Sequence, residues 1–457
     1  MANTQVEGLI VVGGGLAGCE AAWQAAELGI QVTLYEMRPA RSTGVHVTGD
    51  LAELVCSNSL GSNLPDRASG LLKEELRQLR SLLLACAEAV ALPAGGALAV
   101  DREAFSHKVS DALAQHPRIL LVREEVKVIP DQPVIIASGP LTSPDLAASI
   151  AHMSGESNLF FYDAIAPIVF AGSIDMTVAF RASRYQKGNQ PEGDYINCPL
   201  DKDQYEAFVQ KLITAERIEL KEFEHEMELG VRAGLSEYFE GCLPVEVLAR
   251  REMKSLAFGP MRPVGLTNPR TGRWPYAVVQ LRQDNLAGDL YNLVGFQTNL
   301  TYAEQRKIFR QIPGLTGAEF IRFGQMHRNT FIASPKLLKP TLQSVSRQDL
   351  FFAGQIVGVE GYMGNIGSGL LAGMNAARYL RGLPLMEMPT TTMLGAICHY
   401  ISHAEMQDFQ PMKANFGIIP PITPAIKMGK HERALAARER SLRDLAQTIQ
   451  QNQLFYT

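Results

Sequence analysis

An α/β fold is predicted for this chain, with a Rossmann-type dinucleotide-binding domain in two sequence pieces and an inserted mixed α/β domain between them. Three observations predict it. The apolar run Leu9-Ile10-Val11-Val12 leads straight into a glycine-rich stretch, Gly13 to Gly18. A second apolar run, Val32 to Tyr35, ends in an acid, Glu36. Far downstream, Leu350-Phe351-Phe352-Ala353-Gly354 repeats the strand-then-glycine pattern. A chain of 457 residues is also long for one compact core, so two domains are expected.

The first run is short and uniformly apolar, which suits a parallel strand buried on both faces. Gly13, Gly15 and Gly18 occupy the glycine positions of GxGxxG, with Gly14, Leu16 and Ala17 between them. The first glycine makes a tight turn, the second lets backbone approach a pyrophosphate, and the third lets helix and strand pack closely. Cys19 to Leu28 reads as the following helix, whose N-terminus offers N–H groups and partial positive charge to phosphates. Glu36 stands eighteen residues after Gly18, where an acid accepts hydrogen bonds from ribose hydroxyls. Strand, helix, second strand and terminal acid in this order carry the reading; a lone glycine motif would not.

Val134 to Ile136, leaving through Ala137-Ser138-Gly139, reads as the middle strand of the same domain. After Gly354 and Gln355, the stretch Asn365-Ile366-Gly367-Ser368-Gly369 opens an apolar helix, Leu370 to Leu380. In two-dinucleotide-binding-domain flavoproteins such a late element closes the FAD site, its helix N-terminus facing the flavin pyrimidine. FAD is therefore favoured over a free nicotinamide. The candidate cofactor-binding residues are Gly13, Gly14, Gly15, Leu16, Ala17, Gly18, Glu36, Gly354, Gln355, Gly367, Ser368 and Gly369.

The domains are expected at 1–150 and 331–457 for the two flavin pieces, with 151–330 inserted as a substrate and RNA domain. The insert starts a new pattern near Phe160, with strand-like runs Ile168 to Phe170 and Thr177 to Phe180. It continues with a polar helix, Asp203 to Leu212, and Pro/Gly-rich loops around 255–275. Lys427 to Arg443 reads as a basic C-terminal helix with a solvated face.

Hydrophobic residues make up 46% and charged residues 20%, the balance of a soluble globular enzyme. No uninterrupted apolar stretch approaches the ~18–20 residues of a membrane span. No secretory leader pattern precedes the first strand, so a cytoplasmic protein is expected. A net charge of -4 excludes a generally basic nucleic-acid binder and leaves room only for a local patch.

Six cysteines without a CxxC pair argue against a disulfide framework or a zinc site. Cys398, His399 and His403 lack a further ligand, so no metal is expected. Cys19 and Cys86 sit in apolar helical contexts and read as small buried hydrophobes. Cys56, in Val55-Cys56-Ser57-Asn58-Ser59, and Cys242, in Gly241-Cys242-Leu243-Pro244, sit on polar or constrained turns. Turns and helix starts are where a thiol pKa can be lowered. Cys198, before Pro199, has a weaker form of the same context.

The segments Gly13–Gly18, Leu54–Leu60, Asn197–Leu200, Phe239–Glu246, Phe258–Pro263 and Gly354–Gly373 together resemble the folate- and FAD-dependent tRNA uracil-5-methyltransferase family. The resemblance runs from residue 8 to about 450, and its two cysteine motifs are specific. A larger tRNA-modifying flavoprotein family shares the flavin motifs but carries a C-terminal helical extension. The resemblance implies methylation of C5 of the T-loop uridine (position 54) of tRNA. It also implies methylenetetrahydrofolate as carbon donor, and FAD reduced by NAD(P)H.

That chemistry explains a flavin in a methyltransferase. Uracil C5 is a poor nucleophile until a thiolate adds at C6. A methylene donor delivers CH2, so loss of the C5 proton and a reduction must follow. Cys56 and Cys242 together take the roles of nucleophile and partner, with either order open. Arg250, Arg251, Lys254, Arg262, Arg270, Arg273 and Arg282 form a basic strip suited to phosphates. Phe258, Trp274 and Tyr276 offer rings for a flipped base or a pterin. Two other readings remain: a general FAD/NAD(P)H oxidoreductase, and a tRNA-uridine-modifying flavoprotein that works with a partner.

Overall fold

A computed structural model describes residues 8–43, 45–156, 159–186, 192–218, 231–232, 243–422 and 428–454. The chain begins with β1 (Leu9–Val12), α1 (Leu16–Glu27), β2 (Val32–Tyr35), α2 (Ala68–Gln78), α3 (Leu82–Ala89), α4 (Arg102–Gln115), β3 (Ile119–Val122) and β4 (Val134–Ile136). It then forms β5 (Ile168–Phe170), β6 (Phe180–Ala182), β7 (Tyr195–Leu200), α5 (Lys202–Thr214), β8 (Ala277–Gln283), β9 (Leu290–Leu293) and β10 (Phe320–Arg322). It returns through β11 (Leu350–Phe352), α6 (Tyr362–Leu380), α7 (Met393–His403) and α8 (Lys430–Gln451).

Five strands make a parallel sheet in the order β11-β4-β1-β2-β3. Its members come from both ends of the sequence. β4 and β11 are buried throughout, which explains why they read as continuous apolar runs instead of alternating ones. The order reverses at β1, between β2 and β4, so a ligand crevice opens beyond the carboxyl ends of β1 and β4. This is the α/β Rossmann-type fold that the glycine motif predicts.

The second sheet is antiparallel, in the order β6-β7-β8-β9-β5-β10. Buried apolar side chains fall into two main clusters. One draws on residues 9–150 and 331–454, the other on residues 169–320. Two strands, Leu159–Ala164 and Met326–Phe331, pair antiparallel where the chain passes from one cluster to the other and back.

Several boundaries differ from the sequence reading, each for a physical reason. α1 starts at Leu16, inside the glycine motif, because Gly15 already serves as its N-cap. α6 starts at Tyr362, so Asn365 to Gly369 lie within it and do not open it. Low glycine propensity is overridden there by packing: a Cβ on Gly369 would sit 2.2 Å from the Ala17 carbonyl oxygen. In the insert, Met176 to Val178 form a turn, and the strand starts only at Phe180. Among the described residues, no helix is long and apolar enough to cross a membrane, and no cluster of three or more His, Cys, Asp or Glu could hold a metal.

Candidate functional site

The crevice is lined at its base by the exits of three strands: Gly13 after β1, Ala137 to Gly139 after β4, and Gly354-Gln355 after β11. Gly13 has φ +109, and a Cβ there would meet the Ala137 carbonyl oxygen at 2.5 Å, so only glycine makes this turn. Gly18 lies over the Gly13 carbonyl, 1.8 Å from where its Cβ would be. Gly15 differs: a Cβ there would meet nothing within 4 Å. That open space lies at the N-terminus of α1, whose cap has no side-chain hydrogen bond. It is the place where orphan N–H groups and helix charge can receive a pyrophosphate.

Glu36 closes the other end. Its Oε2 accepts from Gly14 N at 2.9 Å, and its Oε1 accepts from Arg38 N at 2.9 Å and Arg38 Nε at 3.0 Å. Burial opposes its ionisation, but the Arg38 guanidinium and these donors hold the carboxyl below its usual range. Arg38 also reaches Glu53 at 3.1 Å and the Asp50 carbonyl at 3.0 Å, so it fixes the loop leading to Cys56. Nothing in the sequence spacing singled out Arg38. The residues fit a dinucleotide on a further observation: Asn365 lines the crevice, and its buried Oδ1 has no partner among the described residues. Glu36→Ala should weaken FAD binding by about tenfold to a hundredfold, the worth of hydrogen bonds to a charged group. Flavin fluorescence titration of the apoprotein measures it.

Not every candidate residue lines the crevice. Gly13, Gly15, Leu16, Ala17, Glu36, Gly354 and Gln355 do. Gly14 acts through its N–H on Glu36, and Gly18 through packing. Gly367, Ser368 and Gly369 do not line it, because they fall inside α6 and not at its start. Gly369 lets α6 meet α1, Gly367 faces Leu394, and Ser368 Oγ accepts from Gly354 N at 2.9 Å. The helix start that faces the crevice is Tyr362.

Tyr362 brings Cys56 to this site. Its hydroxyl oxygen accepts from Cys56 N and from Ser57 N, both at 3.0 Å. Burial, and then the neighbouring Cys56, hold the phenol above its ordinary range. Cys56 is half-buried, whereas Cys19, Cys86, Cys198 and Cys398 are buried. Burial pushes Cys86 up to about 11, and Cys198 and Cys398 up to about 12, so these thiols stay protonated and inert. Cys198 thereby loses the resemblance to a reactive turn cysteine. Cys242 lies outside the described residues.

The basic strip is corrected in part. Arg282 is buried. Arg270 donates to the carbonyls of Met176 at 2.7 Å and Ala179 at 3.0 Å, and Arg250 to that of Ile213 at 2.9 Å. Lys254, Arg262 and Arg273 remain exposed, beside Phe258 and Trp274, which are 78% and 60% exposed. In α8, Arg438 pairs with Glu74 at 2.6 Å and Arg440 holds the Pro421 carbonyl at 2.9 Å, so part of its charge ties the helix down.

Residues 8–384 match the family model described as glucose inhibited division protein A. The chain is 53% identical over 443 residues to Methylenetetrahydrofolate--tRNA-(uracil-5-)-methyltransferase TrmFO of Heliobacterium modesticaldum, covering 97% of this chain and 98% of that one. It is 54% identical over 442 residues to the protein of the same name in an Exiguobacterium species, covering 96% and 98%. In three dimensions it resembles GidA of Aquifex aeolicus with a TM-score of 0.64, over 99% of this chain and 76% of that one; at 14% identity this likeness speaks for the fold alone. With a family model spanning most of its length and relatives more than half identical end to end, the chain belongs to the glucose inhibited division protein A family, and within it to the methylenetetrahydrofolate-dependent tRNA uracil-5-methyltransferases.

Proposed function

We propose that this protein methylates C5 of a uracil in tRNA, the T-loop uridine in our reading, with methylenetetrahydrofolate as carbon donor and FAD as redox cofactor. One observation carries the reading at the level of the site. Among the described residues, the one cysteine that is not buried is tethered, through the Tyr362 hydroxyl, to the wall of the dinucleotide crevice. A thiol at a flavin site is what a methylene-transfer reaction on uracil requires and what hydride exchange between small molecules does not.

Cys56 and Cys242 divide two tasks. One thiolate adds to C6, forming an S–C6 bond and moving the ring electrons toward C5 and O4. C5 then attacks the donor's methylene carbon, and the carbon's bonds to the folate nitrogens break with their electron pairs returning to nitrogen, which releases the folate. The other group takes the C5 proton, and elimination of the thiolate restores the ring. When bound, FAD supplies the two-electron reduction that turns a transferred CH2 into CH3, with NAD(P)H as the source of electrons. Gly13, Gly15, Leu16, Ala17, Glu36, Gly354 and Gln355 would hold the dinucleotide, with the unpartnered amide oxygen of Asn365 as a further contact.

We assign residues 1–150 and 331–457 to the flavin side and 151–330 to the substrate side. Lys254, Arg262, Arg273, Phe258 and Trp274 form the RNA-facing surface, where cations meet phosphates and exposed rings meet bases. The compartment is a reducing cytoplasm, where thiols stay reduced.

The test is direct. Incubation with tRNA lacking the modification, labelled methylenetetrahydrofolate and NADPH should place label in 5-methyluridine. Absence of label, with S-adenosylmethionine supporting methylation instead, would overturn the reading. NADPH oxidation with a small acceptor, indifferent to tRNA, would favour an oxidoreductase.

A further inference from the structure

Arg282 lies near the end of the inserted domain's strand β8 and is buried. Its Nε donates to Asn58 Oδ1 at 2.8 Å, and its Nη2 donates to Ser57 Oγ at 2.7 Å. Asn58 returns its Nδ2 to the carbonyls of Gln283 at 2.8 Å and Val100 at 3.2 Å. The two residues that follow Cys56 are therefore clamped onto a strand of the other domain. Tyr362 holds the same loop from the flavin side, through the N–H groups of Cys56 and Ser57.

The charge of Arg282 is unusual. Its side-chain acceptors are both neutral, and among the described residues it forms no ion pair. Burying a guanidinium in this way is costly unless a negative charge appears beside it. The carboxylates in the neighbourhood are engaged elsewhere: Asp284 with Arg102 at 3.0 Å, and Glu53 with Arg38 at 3.1 Å. Arg102 also donates to the Leu54 carbonyl at 3.3 Å, and Arg322 to the Val45 carbonyl at 3.3 Å. Two guanidinium groups thus act on residues 54–58, and a third, that of Arg322, on the preceding loop at Val45. Facing them are Asp284 and Glu53, both already paired, the Tyr195 phenol beside Arg282, and the Tyr362 phenol, which senses Cys56, Arg102, Arg282 and Arg322.

We infer that Arg282 is a positioning residue for Cys56: it fixes the loop that carries the thiol and supplies the positive charge against which the thiolate forms. A buried cation favours the ionised thiol, and the thiolate in turn gives the guanidinium its missing counter-charge. The only step involved is ionisation, with the thiol proton released to water. Because the same side chain belongs to the substrate-side domain, the reactivity of the thiol depends on the two domains being in register. The inference rests on Cys56 being a reacting thiol at the flavin site.

The experiment is a pH series of iodoacetamide labelling on the flavin-loaded protein, without tRNA or folate, reading the Cys56 peptide by mass spectrometry. The wild-type midpoint should lie below the ordinary thiol value of about 8.5. Arg282→Gln should raise it by about one unit, so that labelling at pH 7 falls about tenfold. Arg282→Lys should restore most of the midpoint while kcat for tRNA methylation stays low and KM for tRNA is unchanged. A merely structural Arg282 would lower thermal stability in both variants and leave the midpoint where it was, and that result overturns the inference. A wild-type midpoint at or above the ordinary value overturns it too, whether or not the variants fold. Labelling requires no methyl transfer, so failure of the methylation assay leaves this measurement intact, and the reverse also holds.

Discussion

Cys56→Ala is expected to reduce tRNA methylation by on the order of 10³-fold or more while the flavin stays bound, because no neighbouring group replaces a thiolate at C6. The retained flavin is the discriminating part. Cys56 contributes its backbone N–H to Tyr362, and alanine keeps that N–H, so the crevice wall should remain in place. The measurement is turnover with labelled donor alongside the flavin absorbance of the purified variant. Cys242→Ala should behave in the same way. Full activity in either variant removes that thiol from the mechanism, and loss of flavin from Cys56→Ala would recast it as a structural residue.

Glu75→Ala is expected to destabilise the protein by about 3–5 kcal/mol, through a mechanism unconnected with chemistry at the site. Glu75 lies buried in α2 and gathers three donors: Met393 N at 2.6 Å, Leu394 N at 2.9 Å and Ser441 Oγ at 2.6 Å. It thus caps the start of α7 and anchors α8, tying the C-terminal helices to the N-terminal half of the sequence. Removing it orphans buried N–H groups. Burial outweighs the three donors and pushes its carboxyl up to about 7. A folded-state value raised above the unfolded one makes a contribution that is complete below about 4.5 and is lost as pH rises through about 7. Glu75→Gln, which cannot ionise, should therefore lack this part of the pH dependence. Denaturant unfolding of wild type and both variants at pH 5 and pH 8 checks the magnitude and the sign.

The parts of the fold that were legible in sequence are local. β1, the glycine turn, β2 and Glu36 follow one another within thirty residues, and each has its own physical signature. The return strand β11 was legible because burial on both faces leaves an apolar run. The start of α6 was not. Five glycines in the stretch from Gly361 to Gly373 look like a loop unless the partner helix that needs them is known. The site was legible as motifs but not as contacts. Tyr362 meets Cys56 across 306 positions, and Arg282 meets Asn58 across 224. No periodicity reports such pairs. The same blindness put Arg282 and Arg270 in a phosphate-binding strip, since sequence shows that a cation is present but not what its donors already hold.

The contact of Gly369 and Gly373 with the backbone of α1 also sets an order of events during synthesis. The inserted cluster, residues 169–320, is contiguous and can close as soon as it has been made. The flavin domain cannot, because its edge strand β11 and the helix α6 packed against α1 come from the opposite end of the sequence to β1, β2, β3 and β4. Its core stays open until the ribosome has passed Leu380, which takes on the order of 20–80 s at about 5–20 residues per second. Residues 9–150 therefore wait with an unclosed nucleotide crevice while residues 169–320 are made, so the crevice is completed only after the substrate-side core has been synthesised.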